Sequence, residues 1–173
     1  MRQHIEITFE GFWNEKSIDK IPHASGVYVV SDGLLDDDGT TVALERTIYI
    51  GESEDVGAAI AGSDMWDAWR EQCGVSNITD DDDITTPSGE DNELFFSFAP
   101  VESPERERAA AAMIFEQYPQ LNSEEEKTEF AYEDTKMNIF GKTGILNTDY
   151  EVILDYADAP PEDSGRTDEF MDN

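Results

Sequence analysis

Apolar and polar residues alternate from the start of the chain. Ile5, Ile7 and Phe9 take every second position among His4, Glu6 and Thr8, the period of a strand with one buried face. Residues 4–9 therefore read as a strand that leads into Gly11-Phe12-Trp13. Ser25-Gly26-Val27-Tyr28-Val29-Val30 is a second β-rich run, interrupted at Ser31-Asp32-Gly33 and again at Asp36-Asp37-Asp38-Gly39. Thr47-Ile48-Tyr49-Ile50-Gly51 follows, so the two runs predict a hairpin with a long acidic connection.

Helical signals come next. Ser53 is a fitting N-cap for a helix over residues 54–61. A second helix, over 64–73, carries Trp66 and Trp69 three residues apart as packing side chains. Leu94-Phe95-Phe96-Ser97-Phe98-Ala99 predicts a third strand. Ser103-Pro104-Glu105 combines a hydroxyl cap, a proline in the first turn and an acid at the positive end of the dipole. That helix runs through the alanines to about Gln117 and stops ahead of Pro119. Two further β-like runs, near 135–140 and 150–155, close the pattern. Residues 77–93 hold Asp80-Asp81-Asp82-Asp83 and predict a solvated, mobile insert, and residues 156–173 predict an acidic, proline-containing tail. The expected organisation is one domain over 1–155 plus that tail.

Composition narrows the class. A hydrophobic share of 38% with 10% aromatics supplies one core and excludes a wholly disordered chain. No apolar run is long enough to span a bilayer, and the N-terminus lacks the pattern of a signal peptide. Cys73 is the single cysteine, so neither a disulfide framework nor a cysteine zinc site is available. A cytoplasmic setting is the resulting expectation. His4 and His23 are separated in sequence and read as surface or satisfied core residues rather than ligands.

Charge changes the picture most. Eleven basic residues against 41 acidic ones give −30 at neutral pH. Such a field repels nucleic acid, whose binding normally draws on Lys and Arg at phosphates. Three explanations compete: a halophilic surface adapted to a saline cytoplasm, mimicry of DNA toward a basic partner, and acidity without a specific role.

Four pieces in order carry a family resemblance. Gly26-Val27-Tyr28 and Tyr49-Ile50-Gly51 resemble the two half-motifs of the GIY-YIG nucleases, Leu94 to Phe98 the family's third strand, and Pro119-Gln120-Leu121-Asn122 its Pro-x-x-Asn ending after a helix. Phe9-Glu10-Gly11-Phe12-Trp13, Gly51-Glu52-Ser53 and Phe140-Gly141-Lys142 resemble the flanks of small stand-alone members, and the likeness spans about residues 4 to 154. The resemblance implies an α/β domain: a small three-stranded antiparallel central sheet flanked by helices, with extra N-terminal and C-terminal strands. It also implies metal-dependent phosphodiester cleavage. Tyrosines would orient or deprotonate water, a helix arginine would stabilise phosphoryl charge, a glutamate would hold one divalent cation, and an asparagine would brace the site.

Carried over position by position, Tyr28, Tyr49, Gly51 and Asn122 match. The arginine position, eight residues after the glycine, is Ala59; the metal-ligand position, twelve before the asparagine, is Ala110. Losing one such charge-stabilising group typically costs about 10²–10³ in rate. Glu107, one helical turn before Ala110, is the candidate substitute ligand. Arg70 is a distant candidate for the phosphate side, while Arg106 and Arg108 are expected to point elsewhere.

The leading expectation is a catalytically impaired pseudonuclease kept as a binding module. The alternatives are a divergent metal-dependent DNA endonuclease using Glu107, and an acidic DNA-mimic inhibitor. No small-molecule cofactor is implied, Mg2+ or Mn2+ would be required only for retained cleavage, and the partner would be nucleic acid or a basic nucleic-acid-binding protein.

The charge alone generates a test. Screening lengths fall from about 10 Å at 0.1 M salt to about 3 Å at 1 M, so self-repulsion should fade across that range. The thermal midpoint is expected to climb steadily from 0.1 M to molar KCl. A midpoint independent of salt would remove the halophilic reading.

Overall fold

The computed structural model describes residues 3–73 and 92–153. Its centre is β2 (Gly26–Leu35), which pairs antiparallel with both β3 (Val42–Ser53) and β4 (Glu93–Pro100). The first eight residues of β2 are all buried, so both faces of this strand are covered. Alternation then divides its side chains. Val27 and Val29 join one core with Ile50, while Tyr28 and Val30 join a second core with Ile48 and Phe96.

The sheet does not stop at three strands. β1 (Gln3–Trp13) pairs antiparallel with β4, then parallel with β5 (Thr135–Gly141), and β5 pairs antiparallel with β6 (Asp149–Val152). The order is β3-β2-β4-β1-β5-β6, a six-stranded, mixed and curled sheet. This overturns the expected small three-stranded antiparallel sheet flanked by helices. The terminal strands are not additions to a finished core. Ile5, Ile7, Phe9, Met137, Ile139 and Val152 are buried in the same cluster as the helix alanines, and that burial requires their strands to continue the central sheet.

β1 changes partner along its length. Residues Gln3 to Phe9 face β5, and Glu10 to Trp13 face β4, with a register shift between Gly11 and Trp13. Gly11 accommodates that shift. Its φ is +138°, and a Cβ there would lie 2.9 Å from the Phe96 carbonyl oxygen.

Helices are few and mostly short. α1 (Val56–Ala61) and α2 (Trp66–Gln72) cover the second core, where Trp69 is fully buried against Phe96. α3 (Glu105–Gln117) lies on the first core and buries Ala109, Ala110 and Ala112, whose small side chains let the helix approach the sheet closely. α4 (Glu124–Thr128) follows the segment after α3. Among the described residues, no helix is long and apolar enough to cross a membrane.

Several local expectations shift. The chain does not break at Ser31-Asp32-Gly33; β2 continues with two register irregularities. Buried Asp32 accepts a hydrogen bond from Arg46 Nη2 at 3.0 Å, which removes the reason for the acid to leave the strand. Asp55, not Ser53, caps α1 by accepting from the Ala58 N–H at 2.9 Å. Ser103 does not cap α3; its hydroxyl donates to Glu107 instead. The expected mobile insert at 77–93 lies almost wholly, and the tail at 156–173 entirely, outside the described residues.

The partner change in β1 is testable. Gly11→Ala should destabilise the protein by about 1–3 kcal/mol, from the strained backbone and the carbonyl contact. Urea unfolding of the two forms measures the difference, and equal midpoints would show that the shift does not need a glycine.

Candidate functional site

The site begins with the register of β2 on β3. Tyr28 sits opposite Gly51, and Tyr49 sits opposite Val30 on the same face. The two tyrosine rings are therefore diagonal neighbours, with centroids 6.2 Å apart. Gly51 is required by this pairing. A Cβ at that position would lie 2.5 Å from Tyr28 Cζ and 2.5 Å from its hydroxyl, so only glycine lets the phenol lie across the neighbouring strand. Tyr28 is 7% exposed, and among the described residues its hydroxyl has no hydrogen-bond partner.

Asn122 holds the outer edge of β3. After α3, the N–H groups of Gln120 and Leu121 donate to the Thr47 and Ile48 carbonyls at 3.3 and 2.8 Å. The Asn122 carboxamide then takes over. Its Nδ2 donates to the Ile50 carbonyl at 3.0 Å, and its Oδ1 accepts from the Ile50 N–H at 3.0 Å. A side chain thus replaces a strand partner, and it does so while buried. Glu126 accepts from Asn122 Nδ2 at 3.3 Å and from the Ser123 N–H at 3.1 Å. Ser123 and Glu126 form a reciprocal capping box that starts α4.

α3 provides the opposite wall. Ala110 faces a concavity of about 450 Å³ that Tyr28, Tyr49 and Gly51 also line. Glu107 lines it one turn earlier, accepting from Ser103 Oγ at 2.9 Å and Arg106 Nη2 at 3.1 Å. Its own backbone N–H, then the Ser103 hydroxyl, then Arg106 hold its carboxyl below the usual range. Three more glutamates, Glu125, Glu126 and Glu129, enter from α4 and the residue after it, and Glu52 enters from β3. Tyr132 closes the far side.

Arg106 departs from expectation. It does not point away: it is buried, donating Nε to Glu52 at 2.6 Å and Nη1 to Ser25 Oγ at 2.9 Å. This ties α3 to β3 and to the start of β2. Arg108 lies over the Tyr132 ring at 5.4 Å, and Arg70 pairs with Glu15 at 3.1 Å while lying over Trp66, away from the concavity.

The remaining positions separate. Ala59 is half-buried on α1, packed on the second core, and does not line the concavity. His4 pairs with Asn138 and His23 with Asp55, both at the surface. Cys73 is half-buried beyond α2, where burial first, and then Asp32, pushes its thiol up to about 12. Among the described residues, no three His, Cys, Asp or Glu side chains are placed to hold a metal ion.

Electrostatics follow from the lining. Burial, then Tyr49 and Glu52, pushes the Tyr28 phenol well above its ordinary value. Burial, then Glu126, Asp64 and Glu52, pushes Tyr49 in the same direction. Both phenols keep their protons, which opposes their use as bases. The sequence motif led to the tyrosines, the glycine, Ala110 and Asn122. It led to Glu107 as a candidate ligand, but not to Arg106, Tyr132 or the other converging glutamates. The Ser123-x-x-Glu126 capping box was the one local signal that α4 exists there.

Asn122→Ala removes both partners of Ile50 in a buried place and should cost about 2–4 kcal/mol. Tyr28→Phe removes only an unpartnered hydroxyl and should leave stability within about 0.5 kcal/mol. Thermal or urea unfolding of both variants checks the contrast; equal effects would refute this account of the site.

Comparison of the chain with protein-family models, with curated proteins and with solved structures finds no match.

Proposed function

We propose that this chain is a GIY-YIG-like binding module that does not cut nucleic acid. The reading rests on the site rather than the fold, because the six-stranded sheet departs from the sheet the resemblance implied. The observation that carries it is the charge of the walls. Glu52, Glu107, Glu125, Glu126 and Glu129 line the concavity with the paired tyrosines, and the Arg106 guanidinium is already held by Glu52 and Glu107. A phosphodiester placed there would meet carboxylates where cleavage needs cationic or hydrogen-bond-donating groups.

Two features support the loss of chemistry. Ala110 offers a methyl group where the family places a metal ligand, and Ala59 packs against the second core. The phenols are held protonated, so water activation by Tyr28 or Tyr49 is disfavoured. One observation favours the nuclease alternative: Glu107 lines the same concavity as Ala110, within one helical turn. Its Oε2 already accepts from Ser103 and Arg106, which competes with metal ligation.

Supercoiled plasmid and single-stranded DNA, incubated with Mg2+ or Mn2+ at low and molar salt, should remain uncut. Metal-dependent cutting that disappears in both Tyr49→Phe and Glu107→Gln would replace this reading with the nuclease.

A further inference from the structure

Two properties of the concavity bear on what it can hold. The first is the Tyr28 phenol. Tyr28 is more than nine-tenths buried and lines the hollow, and no described side chain or backbone group bonds to its hydroxyl, which leaves that oxygen open to a ligand. The second is the distribution of charge: carboxylates come from β3, α3 and α4, on different walls, with no three of them placed to chelate a metal ion.

From these we propose that the concavity receives an alkylammonium or guanidinium cation, carried by a lysine or arginine side chain of a basic partner protein. The inference rests on the binding-module reading and specifies its ligand.

Each part of the lining fits that chemistry. A protonated phenol still offers oxygen lone pairs, so Tyr28 can accept an N–H from the cation. The Tyr28 and Tyr49 rings, 6.2 Å apart, give it aromatic surface on one side. The surroundings already use this contact: Lys127 lies 4.5 Å from the centre of the Tyr118 ring, and Arg108 lies 5.4 Å from that of Tyr132. Glu125 and Glu129 are exposed on the remaining wall, and Arg106 is engaged by Glu52 and Glu107 instead. About 450 Å³ is ample for a long side chain and large for a bare ion. The net charge of −30 would steer a basic protein surface toward the opening.

A free polyamine offers the same chemistry, so the test includes both sources. The 173-residue chain is titrated calorimetrically at 0.15 M salt with a capped tetra-arginine peptide, a capped tetra-lysine peptide, and spermidine. Three variants separate the site from the general acidity. Glu125→Gln with Glu129→Gln removes two charges from the wall. Asp37→Asn with Asp38→Asn removes two from the exposed β2–β3 loop. Tyr28→Phe changes no charge.

Peptide affinity should fall about tenfold in the wall variant and about threefold in Tyr28→Phe, while the loop variant changes it less than about twofold. Equal losses in the wall and loop variants, or an unaltered Tyr28→Phe, would overturn the proposal and leave diffuse attraction as the cause. Tighter binding of spermidine than of either peptide would overturn the protein source. The outcomes remain distinguishable from those of the cleavage assay. DNA cutting would defeat the binding-module reading, whereas absent cutting with no wall-specific loss would defeat only the assignment of the cation.

Discussion

The pairing of the Asn122 carboxamide with both backbone groups of Ile50 organises this site. An edge strand leaves its N–H and C=O groups open to water or to another chain. Here one side chain satisfies both groups at the point where β3 carries Tyr49 and Gly51. The neighbouring N–H groups of Gln120 and Leu121 continue the cover along Thr47 and Ile48. Because Asn122 is anchored, the next residues are positioned as well: Ser123 and Glu126 start α4 beside the strand, and the α4 carboxylates come to face the tyrosines. A single buried amide thereby joins strand edge, helix start and the electrostatics of the hollow.

The opposite wall depends on a second buried polar group. Arg106 reaches from α3 to Glu52 on β3 and to Ser25 at the entry to β2. Such a pair gains little net stability over an apolar contact of the same shape, but removing one partner strands the other charge. Its value in this fold is geometric. It sets the helix against the sheet at a fixed height, with Ala109, Ala110 and Ala112 providing the close approach. The same engagement withdraws the guanidinium from any ligand, so the hollow presents carboxylate and phenol.

The two cores explain why the sheet is wide. α3 covers Val27, Val29 and Ile50, while the tryptophans of α2 cover Val30, Ile48 and Phe96 on the other face. α3 alone cannot cover the whole of its side, and β1, β5 and β6 extend that core with Ile5, Ile7, Met137, Ile139 and Val152. β1 lies between β4 and β5, pairing with β5 along its first part and with β4 beyond it, with a register shift at Gly11.

Period-two alternation located β1 and β-rich runs located parts of β2 to β6, because one-sided or two-sided burial imprints itself on consecutive residues, although β2 and β3 extend well beyond the runs that marked them. The long helix was equally legible, from its alanine run and from Pro119 beyond its end. The resemblance led to Tyr28, Tyr49, Gly51 and Ala110, which line one hollow, and to Asn122, which is buried beside it against Ile50. Pairing was not legible. Nothing local in Ile5-Glu6-Ile7 states that its neighbour is Met137-Asn138-Ile139, more than a hundred residues away, or that the two run parallel. That choice is made by the area each arrangement buries, a property of the whole chain. The same holds for the acids. In sequence Glu52 and Glu125 show no sign of sharing a volume with Glu107, and only the folded geometry decides that their charges act together, because electrostatic coupling depends on distance in space and not along the chain.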